Sequence, residues 1–328
     1  MSEKKEKYWV GFDLGGTKMF TTIYNDLFEV MGTSRKKTKG YEGKDSGLKK
    51  KVRTIENACD DANIDPSCIS GIGVGCPGPI DLKAGVLKQA VNLGWENAPL
   101  SDVLHEAFKC PVALGNDVDV GLFGEYMAGA ARGAHCALGI FPGTGIGGGC
   151  IYEGKIIRGK NNTCFEIGHM QVQPNGPLCG CGKYGCLEAV ASRLAMAGEA
   201  AKAAYRGQAP HLLNDAGMDL ACIRSGALKR SVEAGDVMVE QVLRDGARWI
   251  GIGASVLINL FTPDILVLGG GLVEALPKLF LQEITKSATE RVMPDYVNSF
   301  TVKIAELGDD AGVTGSAYMV KKMVEESA

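Results

Sequence analysis

Twice along this sequence, near residue 8 and again near residue 135, a strand-rich stretch enters a glycine turn and runs straight back into strand. The first copy is YWVGFDL, two glycines and TKMFTTIY; the second is HCALGIF, GTGIGGG and CIYEGKII. Apolar, β-branched and aromatic runs broken by glycine read as β-hairpins. LFEVMGTS comes after the first as a third strand, then a helical stretch over 48–62 and a buried strand, ISGIGVG, ending at CPGP. PVALGN is a further strand whose end opens a helix through DVGLFGEYMAGA. After the second hairpin the chain is mostly helical, with one long segment near 230–260. DILVLGGGL then reads as strand, turn and helix start, TVKIAEL as a last strand, and the chain from about Ala311 as helix. The order strand-strand-strand-helix-strand recurs, which predicts a duplicated α/β unit.

Both glycine turns resemble phosphate-binding motifs without matching them. Gly11 to Lys18, GFDLGGTK, has Thr before Lys and a strand afterwards, whereas a P-loop needs Lys before Ser or Thr and a helix. Gly143-Thr144-Gly145-Ile146-Gly147-Gly148 has dinucleotide spacing, but a strand comes next, so no helix N-terminus meets a pyrophosphate. Such turns still offer backbone N–H groups unshielded by side chains, which can wrap phosphate oxygens. Asp13 precedes the first and is placed to hold Mg²⁺ through water, while Thr17 and Thr144 add hydroxyls. LGGGL after a third strand makes a simple turn-making role for all of these glycines less adequate.

Composition narrows the function classes. The 328 residues carry a net charge of -3, which favours neither nucleic acid nor an anionic membrane as partner. No apolar run is long enough to span a bilayer, and MSEKKEKYWVGFDL has no signal-peptide core, so a cytoplasmic location is expected. Of 11 cysteines, eight (59, 68, 76, 110, 136, 150, 164 and 222) lie among apolar neighbours and read as small core residues. The other three are crowded into CGCGKYGC, Cys179 to Cys186, ten positions after His169. In a reducing cytosol such clustering points to metal or catalysis rather than disulfides.

In this order, DLGGTK, GND, GTGIGGG, EIGH, CGCGKYGCLE and LGGGL resemble the ROK family of sugar kinases, repressors and their relatives. The similarity runs from about residue 8 to 320 and is strongest to the bacterial ATP-dependent glucokinases. It implies the actin-like, hexokinase-like ATPase fold: two α/β lobes, each with a ribonuclease-H-like sheet, and an active site in the cleft between them. Residues 1–115 with the C-terminal helix 313–328 would form the small lobe, and 116–312 the large lobe. ATP and Mg²⁺ would bind at Asp13, Gly15, Gly16, Thr17, Lys18, Gly143, Thr144, Gly145, Gly270 and Gly271. A homo-oligomer, dimer or tetramer, is also expected.

His169, Cys179, Cys181 and Cys186 make one nitrogen and three sulfur ligands, a closed tetrahedral Zn²⁺ set suited to structure rather than catalysis. By the resemblance this zinc fixes a loop that also contacts sugar, with Glu166 and Glu188 staked down beside the ligands and His169 part of the same pocket. The nucleotide loops lie elsewhere in the chain, so metal loss is expected to harm sugar binding only. Asn116 and Asp117, read alone, are caps for the helix starting at Val118. The resemblance instead makes Asp117 the general base and Asn116 a sugar ligand, joined by Gly78 and Asn92. One residue departs from the family pattern: Phe165 stands where glycine commonly precedes the EIGH glutamate. The resulting expectation is phosphorylation of a hexose at its 6-hydroxyl, with glucose first and N-acetylmannosamine, N-acetylglucosamine or fructose as alternatives. A sugar-sensing repressor would need an N-terminal helix-turn-helix, and only seven residues precede Tyr8.

Overall fold

The structure is a computed structural model that describes residues 6–15, 18–38, 44–90 and 93–327. The chain divides into two compact units. The first comprises residues 1–132, 156–164 and 309–328, and the second 133–155 and 165–308.

In the first unit β1 (Tyr8–Leu14), β2 (Lys18–Tyr24) and β3 (Val30–Lys37) form an antiparallel meander. Helix α1 (Lys44–Ala62) leads to β4 (Ile69–Cys76). Next come a small antiparallel sheet of β5 (Ile80–Asp81), β6 (Val86–Ala90) and β7 (Trp95–Ala98), then α2 (Leu100–Phe108) and β8 (Val112–Asn116). The main sheet has the order β3-β2-β1-β4-β8, with β1, β4 and β8 parallel. The unit also holds helix α3 (Asp117–Ala128), directly after β8.

In the second unit β9 (Cys136–Pro142) and β10 (Ile146–Tyr152) form the second hairpin, extended by β11 (Lys155–Ile156). Seven helices separate it from the remaining strands or lie between them: α4 (Leu187–Ala191), α5 (Arg193–Tyr205), α6 (Pro210–Ala216), α7 (Ser225–Glu233), α8 (Val237–Phe261), α9 (Gly271–Ala275) and α10 (Pro277–Thr289). The sheet closes with β12 (Ile265–Leu268) and β13 (Thr301–Ile304), in the order β11-β10-β9-β12-β13. The two sheets share one plan, so the duplicated α/β unit is present, and the fold is that of the actin-like ATPases.

The expected boundaries at 115 and 312 fall elsewhere. Helix α3 belongs to the first unit because it packs on the C-terminal helix α11 (Ala311–Glu326) at backbone range. A Cβ on Gly315 would lie 1.7 Å from the Val120 carbonyl oxygen, and one on Gly124 2.4 Å from that of Ala311, so only glycine allows this approach. The small sheet β5–β7 and helix α2 have no counterpart in the sequence reading; strands of two to five residues leave too short an alternation to detect.

The core of the first unit gathers Val10, Phe12 and Leu14 of β1 with Ile72 and Val74 of β4, under Ile55 of α1 and Leu104 of α2. One cation lies inside it. Lys51 is 1% exposed, its Nζ 3.7 Å over the Trp95 ring and donating to the Gly47 carbonyl at 3.3 Å. Burial pushes its amine down to about 7. In the second unit α8 buries Leu243, Ala247, Ile250, Ala254 and Ile258 along one helical stripe.

Five of the eight cysteines expected in cores are buried, whereas Cys68 and Cys164 are half-buried and Cys222 is exposed. Cys222 sits in a turn closed by Asp219, whose backbone and carboxylate oxygens accept from Cys222 and Ala221 N–H, which leaves its thiol on the surface. No helix among the described residues is long and apolar enough to cross a membrane.

Candidate active site and metal centre

Because β1, β4 and β8 are parallel, their carboxyl ends lie side by side, the edge where α/β sheets collect ligands. Asp13 stands near the end of β1, level with Gly75, while Asn116 ends β8, level with Cys76. Gly78 lies just past β4 with φ of 90°, and a Cβ there would meet the Gln89 carbonyl oxygen at 2.3 Å, so glycine is required. Asn116 caps α3, accepting from the N–H of Val118 at 2.9 Å and of Asp119 at 3.4 Å. Asp117 is the first residue of α3, and its Oδ1 accepts from Val118 N–H at 2.9 Å. Both readings of this pair therefore coexist: Asn116 makes the cap, and the Asp117 side chain is solvent-accessible.

The two aspartates are electrostatically uncomfortable. Burial, and after it the charges of Asp117 and Asp309, push Asp13 up to about 6. Desolvation raises Asp117 too, partly opposed by the Val118 N–H. Among the described residues the Asp13 carboxylate has no hydrogen-bond or ion-pair partner, an arrangement suited to a cation. Gly15 accepts from the Thr38 hydroxyl at 2.7 Å, and Lys18 opens β2, exposed and opposite Lys37. Gly16, Thr17 and Asn92 lie outside the described residues.

The corresponding edge of the second sheet carries Gly143–Gly145 after β9 and Gly269–Gly271 after β12. The two meet: Gly270, with φ of 85°, lies so close to Pro142 that a Cβ would be 2.7 Å from its carbonyl oxygen. After each glycine turn a strand begins, β2 at Lys18 and β10 at Ile146, which excludes the P-loop and dinucleotide motifs as expected. The N–H groups of Thr144 and Gly145 have no protein acceptor among the described residues.

The metal-ligating side chains do converge. One donor atom each from His169, Cys179, Cys181 and Cys186 lie within 4.8 Å of one another, so a single ion can reach all four. Cys181 and Cys186 sulfurs are 3.7 Å apart, and the Cys179 sulfur is 3.6 Å from His169 Nδ1. The loop closes through Cys179 N–H on the Lys183 carbonyl at 2.8 Å. Gly185, with φ of 72°, passes so close to the Gln173 carbonyl oxygen that a Cβ would lie 1.7 Å away.

Glu188 corrects the expectation that this loop serves the sugar side alone. Its Oε1 is 3.9 Å from the Cys179 sulfur, and its Oε2 accepts the Ile146 N–H at 3.0 Å. One carboxylate thus joins the cysteine cluster to the glycine turn. A Cβ on Gly145 would strike that Oε2 at 2.2 Å, so a side chain at 145 displaces Glu188. Glu166 is exposed at the start of a 3-10 turn, Ile167–His169, that packs on the same hairpin. Phe165 takes φ of 61°, the conformation glycine favours, with its ring centroid 5.1 Å from that of Phe261 at the end of α8. The glycine-like backbone is kept and a phenylalanine tolerates it.

The profile of the ROK family matches residues 9–323. The chain belongs to the ROK family. This ROK chain is 32% identical over 321 residues to a glucokinase of Halalkalibacterium halodurans, covering 97% of this chain and 96% of that one. A xylose repressor of Caldicellulosiruptor bescii is 27% identical over 95% of this chain and 77% of its own length. Among solved structures, a ROK glucokinase from Streptomyces griseus in complex with glucose and AMPPNP is 29% identical, with a TM-score of 0.81 over 96% of this chain and 99% of that one.

Sequence reasoning missed Arg193. Its Nη2 donates to the Thr144 hydroxyl at 2.9 Å, its Nη1 to the Ile223 carbonyl at 3.3 Å, and its backbone N–H to the Gly143 carbonyl at 2.9 Å. A signal was available: an arginine in the first turn of a helix, directly after the Ser192 cap, opposes the helix dipole.

Proposed function

We propose that this protein transfers the terminal phosphoryl group of ATP to the 6-hydroxyl of a hexose, with glucose as the substrate. The supporting observation is the desolvated carboxylate of Asp117 at the carboxyl edge of a sheet, in a chain similar over nearly its whole length to a glucokinase solved with glucose and an ATP analogue. The sugar oxygen attacks the γ-phosphorus, and its proton passes to the Asp117 carboxylate. The new oxygen–phosphorus bond forms as the bond to the β–γ bridging oxygen breaks, and that electron pair leaves with ADP. A raised pKa makes Asp117 a stronger proton acceptor than a free aspartate, provided the pH stays above it.

Asn116, Glu166, Glu188 and His169, with Gly78 and Asn92, line the sugar side in this reading. The glycine turns, with Gly15, Gly16, Thr17, Lys18, Thr144, Gly145, Gly270 and Gly271, take the phosphates. Asp13 would hold Mg²⁺, which supplies charge neutralisation when bound; its unpaired, partly desolvated carboxylate fits that role.

The metal in the cysteine cluster is zinc in this reading. Zinc–sulfur bonds of about 2.3 Å in a tetrahedron give sulfur–sulfur edges of about 3.8 Å and sulfur–nitrogen edges of about 3.6 Å. The observed 3.7 Å and 3.6 Å match both. Four protein ligands leave no open position, so the ion cross-links the loop and holds Glu188 against the hairpin. The test is ADP release with ATP and Mg²⁺ across a panel of hexoses and 2-acetamido hexoses. Glucose should turn over fastest. Turnover of a 2-acetamido sugar alone would move the substrate, and no turnover with any hexose would overturn the kinase reading.

A further inference from the structure

We infer that Arg193 is the cationic ligand of the nucleotide's terminal phosphoryl group, holding it at the Thr144–Gly145 turn. The inference rests on the reading that this turn takes phosphate. A guanidinium so placed is expected to have a carboxylate partner, yet among the described residues none pairs with Arg193, and Glu188 on the same turn is engaged with Ile146 N–H instead. Two N–H groups of the side chain are used, one on Thr144 Oγ1 and one on the Ile223 carbonyl, and the rest stay open. Because Thr144 Oγ1 accepts from Arg193, its own proton is free to donate away from the arginine.

The surroundings are all of one sign. The N–H groups of Thr144 and Gly145 lack acceptors, and the turn is tied by the Arg193 N–H to Gly143 at the N-terminus of a 13-residue helix, the positive end of its dipole. A fixed cation there opposes that dipole until an anion arrives, which is why its retention points to an anion. Phosphoryl transfer moves charge onto the β–γ bridging oxygen, and a guanidinium beside the phosphates stabilises that charge without reorganising. Arg193 is thereby also the restraint on the Thr144 rotamer.

Three variants separate charge from scaffolding. Arg193→Met removes charge and hydrogen bonds, Arg193→Gln keeps donors for Thr144 and Ile223 but removes charge, and Arg193→Lys keeps the charge. Calorimetry with Mg²⁺ and AMPPNP, without sugar, should show affinity lost by about 10-fold or more in Met and Gln and partly kept in Lys. kcat/KM for ATP should fall about 10²-fold or more, with the KM for sugar within a few-fold of wild type. Melting temperatures report whether each variant folds, and the Gln variant carries the test if Met does not. Wild-type nucleotide affinity and turnover in Arg193→Gln would overturn the inference, since the side chain would then only brace the turn. A wild-type protein that binds AMPPNP through Arg193 but phosphorylates no hexose would sink the hexose reading and leave the inference standing. Wild-type protein that fails to bind AMPPNP would remove both.

Discussion

At the carboxyl edge of the first sheet stand Asp13, Asn116 and Asp117, with both aspartates pushed above the usual carboxylate range. At the same edge of the second sheet stand Gly143–Gly145, Gly270 and Arg193, where free N–H groups and a cation replace the carboxylates. One strand order therefore presents opposite chemistry in its two copies. The difference lies in the residues just past each strand: after β8 a helix opens with Asn-Asp, and after β9 a glycine turn is pinned by Glu188 and Arg193. The fold supplies the place, and a few turn residues decide whether it accepts protons or binds anions.

The first way to break the comparison is Asp117→Asn, which keeps shape and hydrogen bonding but cannot take a proton. kcat should fall by about 10²–10⁴-fold. Steady-state turnover within a few-fold of wild type would reduce Asp117 to a helix residue. In the wild type, kcat should drop as pH falls through the raised pKa of Asp117, since only the carboxylate is a base.

A second variant asks whether the anion-binding edge depends on the metal. Cys181→Ser should lose the zinc, release Glu188 from the cysteine cluster and so loosen the turn at Ile146. Both glucose and AMPPNP affinities should weaken, by about 10-fold or more, judging from the effect of disturbing groups around bound metals. Normal AMPPNP binding in zinc-free protein would show that the turn stands without it.

Stability carries the next contrast. The folded pKa of Asp13, about 6, exceeds its ordinary value of 3.8. Asp13 thus costs stability as pH rises through that window. Asp13→Asn should stabilise the ligand-free protein on the order of 1 kcal/mol at pH 8 and not at pH 3.5, while weakening Mg²⁺-dependent nucleotide binding. Lys51 has the reverse sign. Its amine is lowered to about 7 from 10.5, so the unfolded chain binds more protons between those values and stability rises with pH there. Lys51→Met should flatten that rise; denaturant melts at pH 7 and 10 would show it, and parallel pH curves would contradict it.

The smallest effect is expected at Phe165→Gly. Glycine relieves the strain of φ near 61° but removes the ring from Phe261, two opposing effects of about 1 kcal/mol each. Melting temperature should move little. A changed hexose profile would show that the ring also borders the sugar, and an unchanged one that it serves Phe261 alone.

Much of this was legible in the sequence. Glycine between β-branched runs marked both hairpins, and the CxC–CxxxxC spacing after His169 marked the metal cluster, because those signals are local. The Glu188 link to Ile146 was not, since it joins residues 42 apart through a carboxylate whose direction only the packed helix α4 sets. The reach of α3 across to α11 escaped for the same reason: glycines at 124 and 315 announce close approach but not to what.

The central claim is that the acidic edge performs chemistry while the pinned, glycine-rich edge binds phosphate. Calorimetry on Asp117→Asn tests it most directly, titrating glucose and Mg²⁺ with AMPPNP in turn. Both affinities should stay within a few-fold of wild type in a protein that no longer turns over. Loss of AMPPNP binding would place the phosphates on the acidic edge and contradict the division of roles between the two sheets.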